Sequence, residues 1–179
     1  MKNLIILALF ILFCASCEKS DFKIDDPDIE QFVQQLKNGS YDKYEIGENG
    51  ESLWAIMPSF KKEHIPLLLH FAEDTSLVYP CDHFPTNPVS SIPPFRAKDN
   101  KASIMIGEYL LWCVEGIIEN KTFASLTPIL RNQNPSEDFR LSGKEILEVR
   151  DIYQNWWEEK EDSINSNILP LEGTFYYWR

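Results

Sequence analysis

Hydrophobic positions along this chain recur mainly with a helical period. After Asp26-Pro27-Asp28, apolar Ile29, Phe32, Val33 and Leu36 follow at i, i+3, i+4 and i+7, and Gly39 offers a stop. With Asp26 as an N-cap acid and Pro27 at the first helical position, the spacing predicts a helix over about 27–38. Residues 40–52 are rich in turn formers, with Gly47-Glu48-Asn49-Gly50 as the breaker. The short stretch Leu53-Trp54-Ala55-Ile56-Met57 reads equally as a strand or one helical turn. Lys62-Glu63-His64-Ile65-Pro66 leads into Leu67–Ala72, a helix with Pro66 near its first turn and apolar residues almost all round.

From Thr75 to Asn100 the periodicity stops. Five of the 11 prolines fall between Pro80 and Pro94, which opposes regular hydrogen-bonded structure. Phe84, Val89, Ile92 and Phe95 are apolar anchors that favour an ordered proline-rich loop over a disordered one. Lys101–Asn120 then gives the clearest helix signal. Lys101, Glu108 and Glu115 lie on one thin polar stripe, and Ile104, Ile106, Leu110, Leu111, Val114, Ile117 and Ile118 cover most of the rest. Ser142-Gly143-Lys144-Glu145 is a capping box opening a helix over about 143–160, with Ile146, Val149, Tyr153, Trp156 and Trp157 on its apolar face. The acidic run Glu158–Asp162 opposes the helix dipole and predicts fraying. The aromatic end, Leu169–Trp178, is predicted to be non-helical and to fold back onto the helices.

Helices in series with no strand alternation between them predict an all-α domain of four to five helices with a long ordered proline-rich loop. Two or three stacked helix pairs, HEAT-like by analogy, would satisfy the pattern; no fixed-period repeat is present.

The first residues are of another kind. Met1-Lys2-Asn3, the apolar run Leu4–Phe13 and the small residues before Cys17 have the parts of a signal peptide. As a helix, Leu4–Phe13 would span about 15 Å, half of a bilayer's hydrocarbon core, too short for a membrane anchor. Ala15-Ser16-Cys17 resembles a bacterial lipobox, with Cys14 where Leu is usual. That resemblance implies a diacylglycerol on the Cys17 thiol, acyl chains such as palmitate, and cleavage just before it. Residues 1–16 are then the signal, 17–26 a lipidated tether and 27–179 a single domain.

Charge sharpens this picture. The chain has 17 Lys and Arg, 28 Asp and Glu, and a net charge of -11. Loss of residues 1–16 removes Lys2 alone, leaving 16 basic against 28 acidic residues and a net charge of -12. Such acidity excludes a phosphate-backbone binder, so no nucleic-acid partner is expected. It also leaves no evident basic face for anionic lipid, so the expected membrane contact is the lipid anchor alone. An aromatic content of 13% excludes a disordered chain.

Candidate chemistry is sparse. Cys81 and Cys113 could form a disulfide in an oxidising envelope, although Cys113 sits far round its helix from the acids, as a buried small hydrophobe would. His64, His70 and His83, with Cys81-Asp82-His83, lack the spacing of a zinc site, and neither metal nor cofactor is expected. Glu108 and Glu115, seven apart on one helix, could place two carboxyls at the upper end of a glycosidase's separation. Trp112 beside them, with Asn87, Ser90 and Ser91 earlier in the chain, would complete a small polar-aromatic cleft. The competing reading is structural, the two acids fixing the proline-rich loop. Gly-x-Ser-x-Gly, P-loop, dinucleotide and His-Glu-x-x-His motifs are absent from the sequence.

Two segments carry a family resemblance: Phe84-Pro85-Thr86-Asn87-Pro88-Val89-Ser90-Ser91 and Gly107-Glu108-Tyr109-Leu110-Leu111-Trp112-Cys113-Val114-Glu115-Gly116-Ile117. With Ile65-Pro66 and Asp74-Thr75 before them, their order resembles a group of uncharacterised envelope lipoproteins from Bacteroidetes, mainly over residues 60–131. The resemblance implies an outer-membrane location, on the periplasmic or the cell-surface face, and carries no catalytic residue. The resulting expectation is a lipid-anchored binding or structural accessory module with an envelope protein as partner. The alternative is a small hydrolase or carbohydrate-active protein using Glu108 and Glu115.

Overall fold

A computed structural model describes residues 21–90, 102–134, 140–160 and 169–178. The predicted leader and Cys17, Ser91, Ile92, Phe95, Lys101 and the end of the acidic run at Glu161-Asp162 lie outside the described residues.

The first helix, α1 (Ile29–Asn38), buries the four predicted positions Ile29, Phe32, Val33 and Leu36. Its N-cap is Asp28 rather than Asp26: the Asp28 carboxylate accepts the Gln31 N–H at 2.9 Å, and Pro27 lies outside the helix. Gly39 closes it in the left-handed region at φ 67°, where a glycine carries no Cβ penalty. Next, β1 (Tyr44–Ile46) and β2 (Ser52–Ala55) form an antiparallel hairpin across the predicted Gly47–Gly50 turn. A 3-10 turn over Lys62–His64 leads into α2 (Ile65–Phe71), with Pro66 in its first turn. This helix is one-sided and not buried all round: Ile65, Leu68 and Leu69 point inward, whereas Pro66, Leu67 and His70 are exposed.

The all-α expectation is overturned. The described residues hold four α-helices and six short strands in three two-stranded antiparallel sheets, a mixed helix and strand fold. β3 (Leu77–Val78) pairs with β4 (Ile104–Met105), clamping both ends of the proline-rich segment. That pairing also shortens the predicted 101–120 helix to α3 (Ile106–Ile118), because Ile104 and Met105 are extended. Within the loop, Phe84 and Cys81 are buried anchors, but Val89 is exposed and anchors nothing. His83 Nε2–H donates to the Leu36 carbonyl at 2.7 Å, tying the loop to the end of α1, where that carbonyl otherwise accepts only the long 3.4 Å contact from the Gly39 N–H among the described residues.

β5 (Leu130–Asn132) precedes α4 (Gly143–Lys160) and pairs in register with β6 (Tyr176–Trp178). The aromatic end thus returns to the domain as predicted, but as a strand. The predicted capping box forms: Glu145 N–H donates to Ser142 Oγ at 3.3 Å, and Ser142 N–H to Glu145 Oε2 at 2.8 Å. Ile146, Val149, Tyr153, Trp156 and Trp157 are all buried.

α3 is central, with Ile106 through Gly116 buried and both α2 and α4 packed on it. A train of rings crosses the core beside it. Phe32 lies 5.4 Å from Tyr41 and 6.4 Å from Tyr109, and Tyr109 lies 4.8 Å from Phe84 and 5.8 Å from Trp112, in the edge-on and tilted arrangements that aromatic pairs prefer.

Gly107 sets how closely α2 and α3 approach. A Cβ there would stand 2.3 Å from the Ala72 carbonyl oxygen, and the Gly107 N–H already donates to the Asp74 carbonyl at 2.8 Å. Gly107→Ala therefore forces two backbones apart. It is expected to cost about 2 kcal/mol in urea denaturation, the usual scale of overpacking. A loss below about 0.5 kcal/mol would contradict the close approach.

Candidate functional site

The described members of the predicted polar-aromatic cleft, all but Ser91, have separate hydrogen-bond partners. Glu108 is fully buried, and its carboxylate takes the Arg140 Nη2 at 2.6 Å and the Leu130 N–H at 3.1 Å. Arg140 is equally buried, so this is a core ion pair joining α3 to the start of β5 and to the turn before α4. Glu115 meets other partners. Its Oε2 accepts the Tyr153 hydroxyl at 2.8 Å, and that hydroxyl accepts the Trp178 indole N–H at 2.8 Å. Burial pushes the Glu115 carboxyl up to about 7; the Tyr153 hydrogen bond opposes the shift, and Glu119 adds to it.

The other members of the predicted cleft are elsewhere. Trp112 is fully buried, its indole N–H donating to Ser125 Oγ at 2.8 Å. Asn87 and Ser90 make a local turn in the proline-rich loop: Asn87 Oδ1 accepts the Val89 N–H, and the Asn87 carbonyl accepts the Ser90 N–H. Glu108 thus bonds to β5 and to the turn before α4, and Glu115 to α4 and, through the Tyr153 hydroxyl, to β6.

The cysteines and histidines have separate roles. Cys81 and Cys113 are buried free thiols, so the candidate bridge is not formed. Burial raises both thiols, Cys81 to about 12. His64 Nδ1 accepts the Lys61 N–H at 2.9 Å, His70 stands at the surface beside Phe71, and His83 serves α1. Among the described residues no group of three His, Cys, Asp or Glu could hold a metal ion.

Sequence reasoning missed an open cleft of about 570 Å³ on the other side of α3. Cys113, Gly116 and Ile117 form its α3 wall, residues 57–62 the opposite wall, and Asn120, Lys121 and Thr122 the end. Lys61, Lys62 and Lys121 line it, and among the described residues no acid does. Asn120, at φ 54°, turns the chain after α3, and Lys121 N–H then donates to the Gly116 carbonyl at 2.8 Å. The Lys61-Lys62 pair was the visible signal. Lys121 joins it only through the fold.

These features define a small mixed helix and strand domain with a buried ion pair and an open cleft lined in part by lysines. The chain belongs to the family described as Domain of unknown function (DUF4943), whose model matches residues 23–179. No curated protein and no solved structure matches it.

Proposed function

We propose that this chain is a lipid-anchored protein of the bacterial outer membrane, akin to Bacteroidetes envelope lipoproteins, serving as a binding or structural accessory module. The observation that carries the module reading is the commitment of Glu108 and Glu115 to buried partners, away from any shared opening. Ile46, Leu53 and Trp54, each exposed on the β1–β2 hairpin, are in keeping with a protein partner. The lipobox-like Ala15-Ser16-Cys17 supports the anchor, and no helix among the described residues is long and apolar enough to cross a membrane.

Cys17→Ser is expected to move the protein from the membrane to the soluble fraction by more than about tenfold, since two or more acyl chains make membrane residence stable. Mass spectrometry of the N-terminal peptide gives the direct check, and an unmodified Cys17 overturns the anchor. For the module, the experiment is affinity purification of the tethered protein from its own membrane. A partner lost from the Leu53→Ser/Trp54→Ser variant is the expected result. Turnover of a chromogenic glycoside that disappears in Glu108→Gln and Glu115→Gln would overturn the reading.

A further inference from the structure

The point where the chain enters the domain fixes where the β1–β2 hairpin sits relative to Cys17. Within the predicted tether, Phe22 is buried, its ring 6.0 Å from that of Phe32 and 5.7 Å from that of Tyr41, and the Ser59 N–H donates to the Ile24 carbonyl at 2.8 Å. The chain is thus part of the domain from Phe22 onward. Just before it, the Asp21 carboxylate meets Lys43 Nζ at 2.8 Å, one residue ahead of β1. Cys17 precedes Asp21 by four residues, so at most about 14 Å of fully extended chain can separate their Cα atoms. A lipid on Cys17 therefore holds the base of the hairpin close to the bilayer's polar layer, which is itself roughly 5 to 8 Å deep on each side.

The hairpin itself carries a bulge. Its register sets Tyr44 against Ala55 and Ile46 against Ser52, so two residues of β2, Leu53 and Trp54, stand opposite Glu45 alone. Leu53 is 46% and Trp54 44% exposed. Residues 42–54 hold four acids, Asp42, Glu45, Glu48 and Glu51, against one base, Lys43, and all four acids are exposed. A tryptophan is a frequent anchor of protein interfaces, and acids around it select a partner with basic side chains in matching places. The same acids disfavour the bilayer as the occupant, because an anionic leaflet repels them. We infer that the hairpin docks a membrane-resident protein, whose apolar patch receives Leu53 and Trp54 and whose basic side chains face Glu45 and Glu48. The inference rests on the Cys17 anchor and the module reading proposed above, and narrows the partner to a protein that presents this surface beside the bilayer.

The test uses the full lipidated chain in its own membranes, with the photo-crosslinker p-benzoylphenylalanine in place of Trp54 and, in a control protein, in place of Leu147, which is exposed on α4. The expected result is a protein adduct at position 54 that is weaker by about fivefold or more at position 147. Mass spectrometry of the adduct identifies the partner, and in membranes lacking this chain that partner is expected to remain in the pellet after carbonate extraction. Glu45→Lys with Glu48→Lys is expected to weaken the adduct by about tenfold, since like charges then face each other. Unchanged melting of that variant shows that the loss is not unfolding. The inference is overturned by an adduct with lipid alone, which makes the bilayer the occupant, by a partner that carbonate releases, by an adduct that the charge reversal leaves intact, or by equal labelling at position 147. The two levels fail separately. An unmodified Cys17 overturns the anchor and this inference together, whereas a lipidated Cys17 and an affinity-purified partner with no adduct at position 54 overturn this inference alone.

Discussion

Arg140→Ala is expected to lower the unfolding free energy by about 3 to 5 kcal/mol, the usual cost of leaving one member of a buried ion pair without its partner. The Arg140–Glu108 contact is 2.6 Å, and both side chains are almost wholly out of water. Removing the guanidinium strands a carboxylate in the core, where an unpaired charge is most costly. A domain with ordinary stability of about 5 to 15 kcal/mol could lose most of its reserve, so a second variant is required. Arg140→Met with Glu108→Gln removes both charges, and the glutamine oxygen can still accept the Leu130 N–H that Glu108 Oε1 holds at 3.1 Å. This double variant is expected to recover at least about half of the loss, because replacing a buried pair with uncharged groups is often close to neutral. Urea denaturation measures both. A loss below about 1 kcal/mol in Arg140→Ala would show that the pair is not a core element.

The same pair shows where the sequence is legible and where it is not. Helical faces read well: α1 buries the four predicted positions, α4 the five, and Ser142 with Glu145 makes the predicted cap. A periodic pattern reports which face of a helix is apolar. It does not report which distant residue meets that face. Glu108 finds Arg140 32 residues on, and Glu115 finds Tyr153 38 residues on, so a stripe that resembles a solvated edge is instead the polar seam of the core. The strands escaped notice for a related reason. β3 and β4 have two residues each and β5 and β6 three, too few for alternation to register, and their partners are remote in the chain. The cleft lysines were hidden by averaging, since a net charge of -11 says nothing of where 17 bases gather.

Glu115→Gln is expected to stabilise the protein above neutral pH by up to about 3 kcal/mol, and to have little effect near pH 4. Burial raises the Glu115 carboxyl from an ordinary 4.5 to about 7, against the opposing Tyr153 hydrogen bond. Between those values the folded chain holds a proton that the unfolded chain has released. Stability from this group is therefore full below pH 4.5, falls as pH rises through the window, and reaches its lowest level above pH 7. A tenfold tighter hold on a proton in the folded chain corresponds to about 1.4 kcal/mol, which gives the scale of the expected effect. Glutamine cannot ionise, yet its side-chain oxygen can still accept the Tyr153 hydroxyl, so the link through Tyr153 to Trp178 and β6 survives. Other carboxylates titrate in the same range, but they do so in both proteins, and the difference between the two stability curves isolates Glu115. Denaturation midpoints at closely spaced pH values from pH 4 to 8 supply those curves. A difference that stays flat, or that grows as pH falls, would show that Glu115 is ionised in the core, and the Tyr153–Trp178 relay would then be holding a carboxylate rather than a carboxylic acid.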